Sequence, residues 1–123
     1  MSYRFIYRVP LAKQLLEETL QMWPSNGVAL VHYGFILKTS ENNNEEGSHF
    51  MQKGIDTNDP GTMDARFLFH LGDAYDRLGQ HLRAEQVYKL LAFKFVSVAV
   101  SHLKINWNNI GTGLWTWSWK GTL

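Results

Sequence analysis

The sequence predicts an all-α fold built from antiparallel helical hairpins. Three features predict it. Apolar residues recur at helical spacing in five segments, each about 10 to 14 residues long. Short connectors rich in turn-forming residues separate the segments. A cluster of large residues around a glycine occurs twice, at Gly34 and again at Gly72, as in a chain whose hairpins repeat.

The first helix is predicted over residues 11–23, where Leu11, Leu15, Leu16, Leu20 and Trp23 fall at helical spacing. Pro10 sits near its start and Pro24 stops it, followed by the turn residues Ser25, Asn26 and Gly27. A second helix is predicted over residues 28–38, with Leu30, Val31, Phe35 and Leu37 as its apolar positions. It ends in TSENNNEEG, a loop by composition. The third, over residues 45–55, is expected to be weaker, because Gly47 and Gly54 each lower helix propensity. DTNDPGTMD then reads as the strongest loop, with Asp59-Pro60-Gly61 as turn chemistry and Thr62 or Asp64 as a helix cap. A fourth helix, residues 65–78, carries Leu68, Leu71, Tyr75 and Leu78 on one stripe and closes at Gly79. The fifth is predicted over residues 82–93.

Residues 65–92 contain Leu68-x-x-Leu71-Gly72-x-x-Tyr75, then Ala84-x-x-x-Tyr88. This resembles the tetratricopeptide repeat, a helix A and helix B pair whose small residues mark the closest approach of the two helices. Gly72 and Ala84 take those small places, and Leu68, Leu71, Tyr75 and Tyr88 fill the space around them. Running the register backwards puts Leu30, Tyr33, Gly34 and Leu37 on an earlier helix A. Gly47, Met51 and Gly54 then fall on its helix B. Gly34 and Gly72 are 38 residues apart, against about 34 in the standard unit. A longer ENNNEE turn and the added Thr62–Asp64 account for the excess. Ala12, Leu16, Thr19 and Pro24 fit a still earlier helix B. The reading is therefore about two and a half repeats over residues 1–92, opening midway through one, with a non-repeat tail over 93–123.

Longer strings carry a closer resemblance. Val31-His32-Tyr33-Gly34-Phe35-Ile36-Leu37-Lys38, Asp59-Pro60-Gly61-Thr62, Arg66-Phe67 and Phe69-His70-Leu71-Gly72-Asp73-Ala74 are similar to the tetratricopeptide region of the aspartyl/asparaginyl β-hydroxylases. The resemblance covers residues 11–90. It implies a helical support beside an Fe(II)- and 2-oxoglutarate-dependent dioxygenase domain, located in the endoplasmic reticulum lumen. That domain hydroxylates Asp or Asn in epidermal-growth-factor-like domains. Neither the family's membrane anchor nor its catalytic domain is expected within this chain. A chain complete as written is expected to be cytoplasmic, since no signal or anchor is visible.

After Leu91 the resemblance stops. Val96, Val98 and Val100 alternate with small residues, which predicts a strand, and Thr116 and Ser118 alternate with tryptophans in the same way. Four of the five Trp (Trp107, Trp115, Trp117, Trp119) lie in this tail.

Composition narrows the chemistry. The 123 residues are 45% hydrophobic and 19% charged, an ordinary globular balance. A net charge of +1 gives no basic field for nucleic acid. No apolar run approaches the roughly 18 residues of a membrane span. With no Cys, disulfides, thiol nucleophiles and Cys-ligated zinc are excluded. Neither H-x-D nor H-E-x-x-H occurs, so iron and zinc signatures are missing. His70 and Asp73 share a helix face and His32 holds the equivalent place one repeat earlier, but they read as polar groove contacts. Phosphate cradles and nucleophile elbows are likewise missing, and Gly111-x-Gly113 reads as a turn. Asp56, Asp59 and Asp64 do not match a calcium loop. No catalytic residue, cofactor or metal ligand is assigned.

Binding remains. In such arrays helix A lines the concave groove. The matched register places Val28, Val31, His32, Phe35 and Lys38 there from one repeat, and Arg66, Phe69, His70, Asp73, Asp76 and Arg77 from the next. Aromatic, imidazole and charged groups of both signs suit an extended peptide. The same residues would equally suit packing against a neighbouring catalytic domain. The expected partner is thus a protein, a peptide or that domain.

Overall fold

The computed structural model describes residues 2–102, with side chains from Arg8 onward. Five α-helices, and no strand, occur among the described residues: α1 (Ser2–Met22), α2 (Gly27–Glu41), α3 (Asn44–Asp56), α4 (Ala65–Arg77) and α5 (His81–His102). This is the expected all-α, repeat-like arrangement of helical hairpins. The chain divides into two units, Met1–Ala92 and Phe93–Leu123.

In the first unit, α1 is longer than predicted. Pro10 lies inside it rather than at its start. Proline's fixed φ is helical, but an interior site costs one backbone hydrogen bond and crowds the carbonyl four residues earlier, which a first-turn site avoids. On α2, Tyr33 Oη donates to Glu17 Oε1 at 3.3 Å and Lys13 Nζ pairs with Glu41 Oε2 at 2.6 Å, both tying α1 to α2. These surface contacts orient more than they stabilise.

The α2–α3 connection is only two residues long. Asn42 takes the left-handed conformation (φ 55°), and its N–H returns to the Leu37 carbonyl. Asn43 caps α3 by accepting from the Glu46 N–H at 3.2 Å. The polar run that reads as a loop is therefore mostly helix, closed by two asparagines.

Glycines set the distance between α2 and α3. A methyl placed on Gly34 would lie 2.6 Å from the Gly47 carbonyl oxygen and from the Met51 nitrogen. One on Gly54 would lie 2.7 Å from the Gly27 carbonyl oxygen and 2.5 Å from Val31 Cγ1. Gly34 meets Gly47 and Gly27 meets Gly54, so the helices are antiparallel with their backbones in contact. The glycines that weaken α3 as an isolated helix are the ones that let it dock.

The connector from Thr57 to Asp64 is a folded turn. Asn58 (φ 59°) and Gly61 (φ 88°) take left-handed conformations. The Asp59 carbonyl accepts from Thr62 N at 3.2 Å and from Thr62 Oγ1 at 2.8 Å, and Thr62 is fully buried. Of the two expected caps for α4, Asp64 is the one used. Its carboxylate accepts from Arg66 N at 2.8 Å. At the other end Gly79 (φ 79°) closes α4, with Gln80 N on Tyr75 O at 2.8 Å and Gly79 N on Asp76 O at 3.0 Å.

The α4–α5 hairpin follows the predicted small-to-large pattern. A methyl on Gly72 would sit 2.5 Å from Tyr88 Cε1, and Ala84 is buried. One core serves the unit: Val31, Met51, Ile55, Phe67, Leu68, Leu71, Tyr75, Ala84 and Val87. Residues from α2, α3, α4 and α5 all enter it, so each hairpin buries its apolar face against the other.

In the second unit the described residues, 93–102, are helical. The strand predicted from Val96, Val98 and Val100 is not formed. Five residues cannot separate period 2 from period 3.6, since Val96 and Val100 also share a helix face. A helix, unlike a lone strand, also satisfies its own backbone. The tail tryptophans, Gly111 and Gly113, and the Thr116 and Ser118 alternation lie outside the described residues.

Candidate functional site

Helices α2 and α4 are the two predicted helix A elements, and they lie side by side. Their facing side chains form one continuous strip. His32 meets the Phe67 ring edge-on, with centroids 4.9 Å apart. Phe35 meets Phe67 at 5.7 Å and His70 at 4.9 Å, again edge-on. Phe69 joins His70 at 5.3 Å, and Arg66 lies over Phe67 at 5.5 Å. Edge-to-face contacts of this kind hold rings in defined orientations.

A charged cluster closes one end. Lys38 Nζ donates to Asp73 Oδ2 at 2.6 Å, and Arg77 Nε donates to the same oxygen at 2.8 Å. Lys38 is 8% exposed, so its ammonium is desolvated and depends on Asp73. In return, hydrogen bonds from Lys38 and then Arg77 hold the Asp73 carboxyl below the usual carboxylate range. At the other end Asp64 Oδ1 accepts from Arg66 Nε at 3.2 Å.

Protonation is disfavoured at both imidazoles. Burial lowers the pKa of His32, and the nearby Arg66 lowers it further. Burial does the same to His70, reinforced by Lys38. His70 Nδ1 is buried and finds no hydrogen-bond partner among the described residues. Among those residues, no three His, Asp or Glu side chains converge to hold a metal ion.

Over 68 residues the chain is 52% identical to aspartyl/asparaginyl beta-hydroxylase of Mus musculus, and it matches the Homo sapiens protein equally. Over those 68 residues the chain is homologous to part of aspartyl/asparaginyl beta-hydroxylase. The aligned segment covers 55% of the chain and 9% of each hydroxylase, so the chain spans a small fraction of the relatives it matches. No family profile matches the chain. Among the described residues no helix is long and apolar enough to cross a membrane.

The predicted groove residues do not all reach the strip. His32, Phe35, Arg66, Phe69, His70, Asp73 and Arg77 reach the strip, with Phe69 53% exposed. Lys38 is buried and works from beneath, through Asp73. Val31 is fully buried and belongs to the core, where it lies against Gly54. Val31 is one turn from Phe35 and reads as the same face. The missing Cβ of Gly54 draws it inward instead. Val28 is at the exposed margin, and Asp76 turns away to His81 Nδ1 at 2.9 Å.

Two features were not foreseen. The Asp59 carboxylate accepts from the Gly27 N–H at 2.9 Å, so the connector caps α2 from 32 residues away. A cleft of about 410 Å³ lies on another face, lined in part by Gln52, Asp56, Tyr75 and Arg83. There Tyr75 Oη donates to Gln52 Oε1 at 2.9 Å and Arg83 lies 5.8 Å over the Tyr75 ring. Burial raises the Tyr75 pKa, which keeps its hydroxyl a donor. Long-range pairs of this kind leave no local sequence signal.

Proposed function

We propose that residues 1–92 are a non-catalytic tetratricopeptide segment whose α2–α4 strip holds a protein or peptide partner. Residues 93–123 form a tail of separate character. The observation that carries this reading is the strip itself. Phe69 is half exposed beside partly buried Phe35, His32 and His70, and His70 Nδ1 is a buried polar atom without a partner among the described residues. A partner strand laid along the strip would cover Phe69 and offer that nitrogen a hydrogen bond. Asp73 is engaged by Lys38 and Arg77, which leaves the Arg77 guanidinium edge for a carbonyl or carboxylate.

The partner favoured here is a neighbouring domain of a longer protein. The relatives are many times longer than the matched segment, and they are hydroxylases of aspartyl or asparaginyl residues. In that reading the repeat segment supports a dioxygenase domain in the endoplasmic reticulum and contributes no catalytic residue. The test is an NMR titration of the chain with the mouse relative's segments outside the match. Shifts centred on Phe69, His70 and Arg77, lost in Phe69→Ala, are expected. Shifts confined to α3, or none, would refute it. A parallel measurement of 2-oxoglutarate consumption with Fe(II) should give no turnover, and clear turnover would reverse the non-catalytic assignment.

A further inference from the structure

The start of α2 places two separate demands on adjacent residues. Asn26 is the N-cap, and its Oδ1 accepts from the Ala29 N–H at 3.1 Å. Glycine is favoured at 27, because a methyl there would lie 2.1 Å from Thr57 Oγ1 and 2.7 Å from Asp59 Oδ2 and would displace both side chains. Together the demands write Asn-Gly, a dipeptide prone to deamidation. Glycine offers no side chain to obstruct attack by its own backbone nitrogen on the preceding carboxamide. Asn26 is exposed, so water and the leaving ammonia have access.

We propose that Asn26–Gly27 is a latent deamidation site that the connector holds closed. In the reaction the Gly27 nitrogen loses its proton and bonds to Asn26 Cγ. The Cγ–Nδ2 bond breaks, and ammonia leaves with that proton. Water then opens the succinimide at either carbonyl, giving aspartate or isoaspartate at position 26 without any oxidant or cofactor. The fold opposes the first step in three ways. The Gly27 N–H is donated to Asp59 Oδ2 at 2.9 Å, and that carboxylate's negative charge opposes forming an anionic nitrogen beside it. The Asn26 carboxamide is held by the Ala29 N–H. Gly27 is buried against Thr57 and Asp59, which restrains the peptide from swinging to face Cγ.

Reaction therefore proceeds through a locally opened state in which the connector leaves α2. Its outcome would outlast that opening. Aspartate remains a competent cap, whereas isoaspartate adds a methylene to the main chain and loses the cap geometry. The modified chain would then be unable to restore the Gly27–Gly54 contact.

The experiment follows the full chain in mildly alkaline buffer, native and unfolded in urea. Peptide mass mapping and isoaspartyl methyltransferase labelling quantify conversion at position 26. Conversion is expected to be at least about tenfold slower in the native chain than in the unfolded one. Asp59→Ala, checked for helicity, should convert faster than the native chain. Equal or faster conversion in the native chain would overturn the proposal and make Asp59 a base rather than a guard. So would a folded Asp59→Ala that converts at the native rate. Should Asp59→Ala not fold, sub-denaturing urea on the unmodified chain decides. Conversion must rise in proportion to hydrogen exchange at the Gly27 amide, and a rate indifferent to that exchange refutes the mechanism.

Discussion

Gly34→Ala tests whether backbone contact between α2 and α3 sets the fold. The new methyl would lie 2.6 Å from the Gly47 carbonyl oxygen and from the Met51 nitrogen, about 1 Å inside the 3.5–4.0 Å optimum for packed atoms. Both obstacles are backbone, so no rotamer change relieves them. The hairpin would have to spread, and spreading also loosens Val31 against Gly54. Overpacking of this kind costs about 1–3 kcal/mol. Alanine returns up to about 1 kcal/mol of helix propensity. With that full return the net loss is about 0–2 kcal/mol, or up to about 15 °C of melting temperature for a domain of this size. Circular dichroism melts of the full chain measure it. Gly79→Ala is the control: its methyl meets nothing within 4 Å, so the cost comes from φ 79° alone, about 1–2 kcal/mol. A Gly34→Ala chain melting above the native midpoint would refute the close-contact argument.

Asp73→Asn should destabilise by about 1–3 kcal/mol, because it leaves the buried Lys38 ammonium without its counter-charge. Lys38→Met in the same background should recover much of that loss in a urea titration, and an additive loss would contradict the pairing. Acidification should act in two stages. His32 and His70 have pKa values lowered by folding, so the unfolded chain binds more protons and stability falls as pH drops from about 7 towards 5. The lowered Asp73 pKa contributes stability present above the usual carboxylate value, and this is lost as pH falls below about 4 through the folded value. Melts across pH should show His70→Gln flattening the first stage only, and an unchanged slope would count against the His70 assignment. Phe67→Ala should cost about 3–5 kcal/mol as a core truncation. Phe69→Ala, at a surface site, should stay within about 0.5 kcal/mol. Comparable losses in the two would show that Phe69 is structural rather than a partner contact.

Much of the fold was legible because its signals are local. Periodic leucines mark α4, and Gly79 marks its end by allowing the positive φ that the closing turn requires. The expectation failed where one local pattern fits two structures. Valines at 96, 98 and 100 alternate like a strand yet lie in α5, and Pro10 can begin a helix or sit within one. In the strip, register alone located Phe35, Phe69 and His70 but misplaced Val31. Which of two positions on one helix face is covered is invisible without knowing what lies behind the helix.

By itself, the sequence determined that the chain forms helices, that they pair as hairpins, and that the hairpins repeat around Gly34 and Gly72. Those properties depend on propensity, period and small residues, all readable along one strand of text. Tertiary structure alone decided which neighbours meet. Lys38 and Asp73, 35 residues apart, become a desolvated ion pair, and Asp59 reaches across 32 residues to Gly27. Such choices follow from the distance at which glycines let two backbones touch, and that distance exists only once the helices have docked.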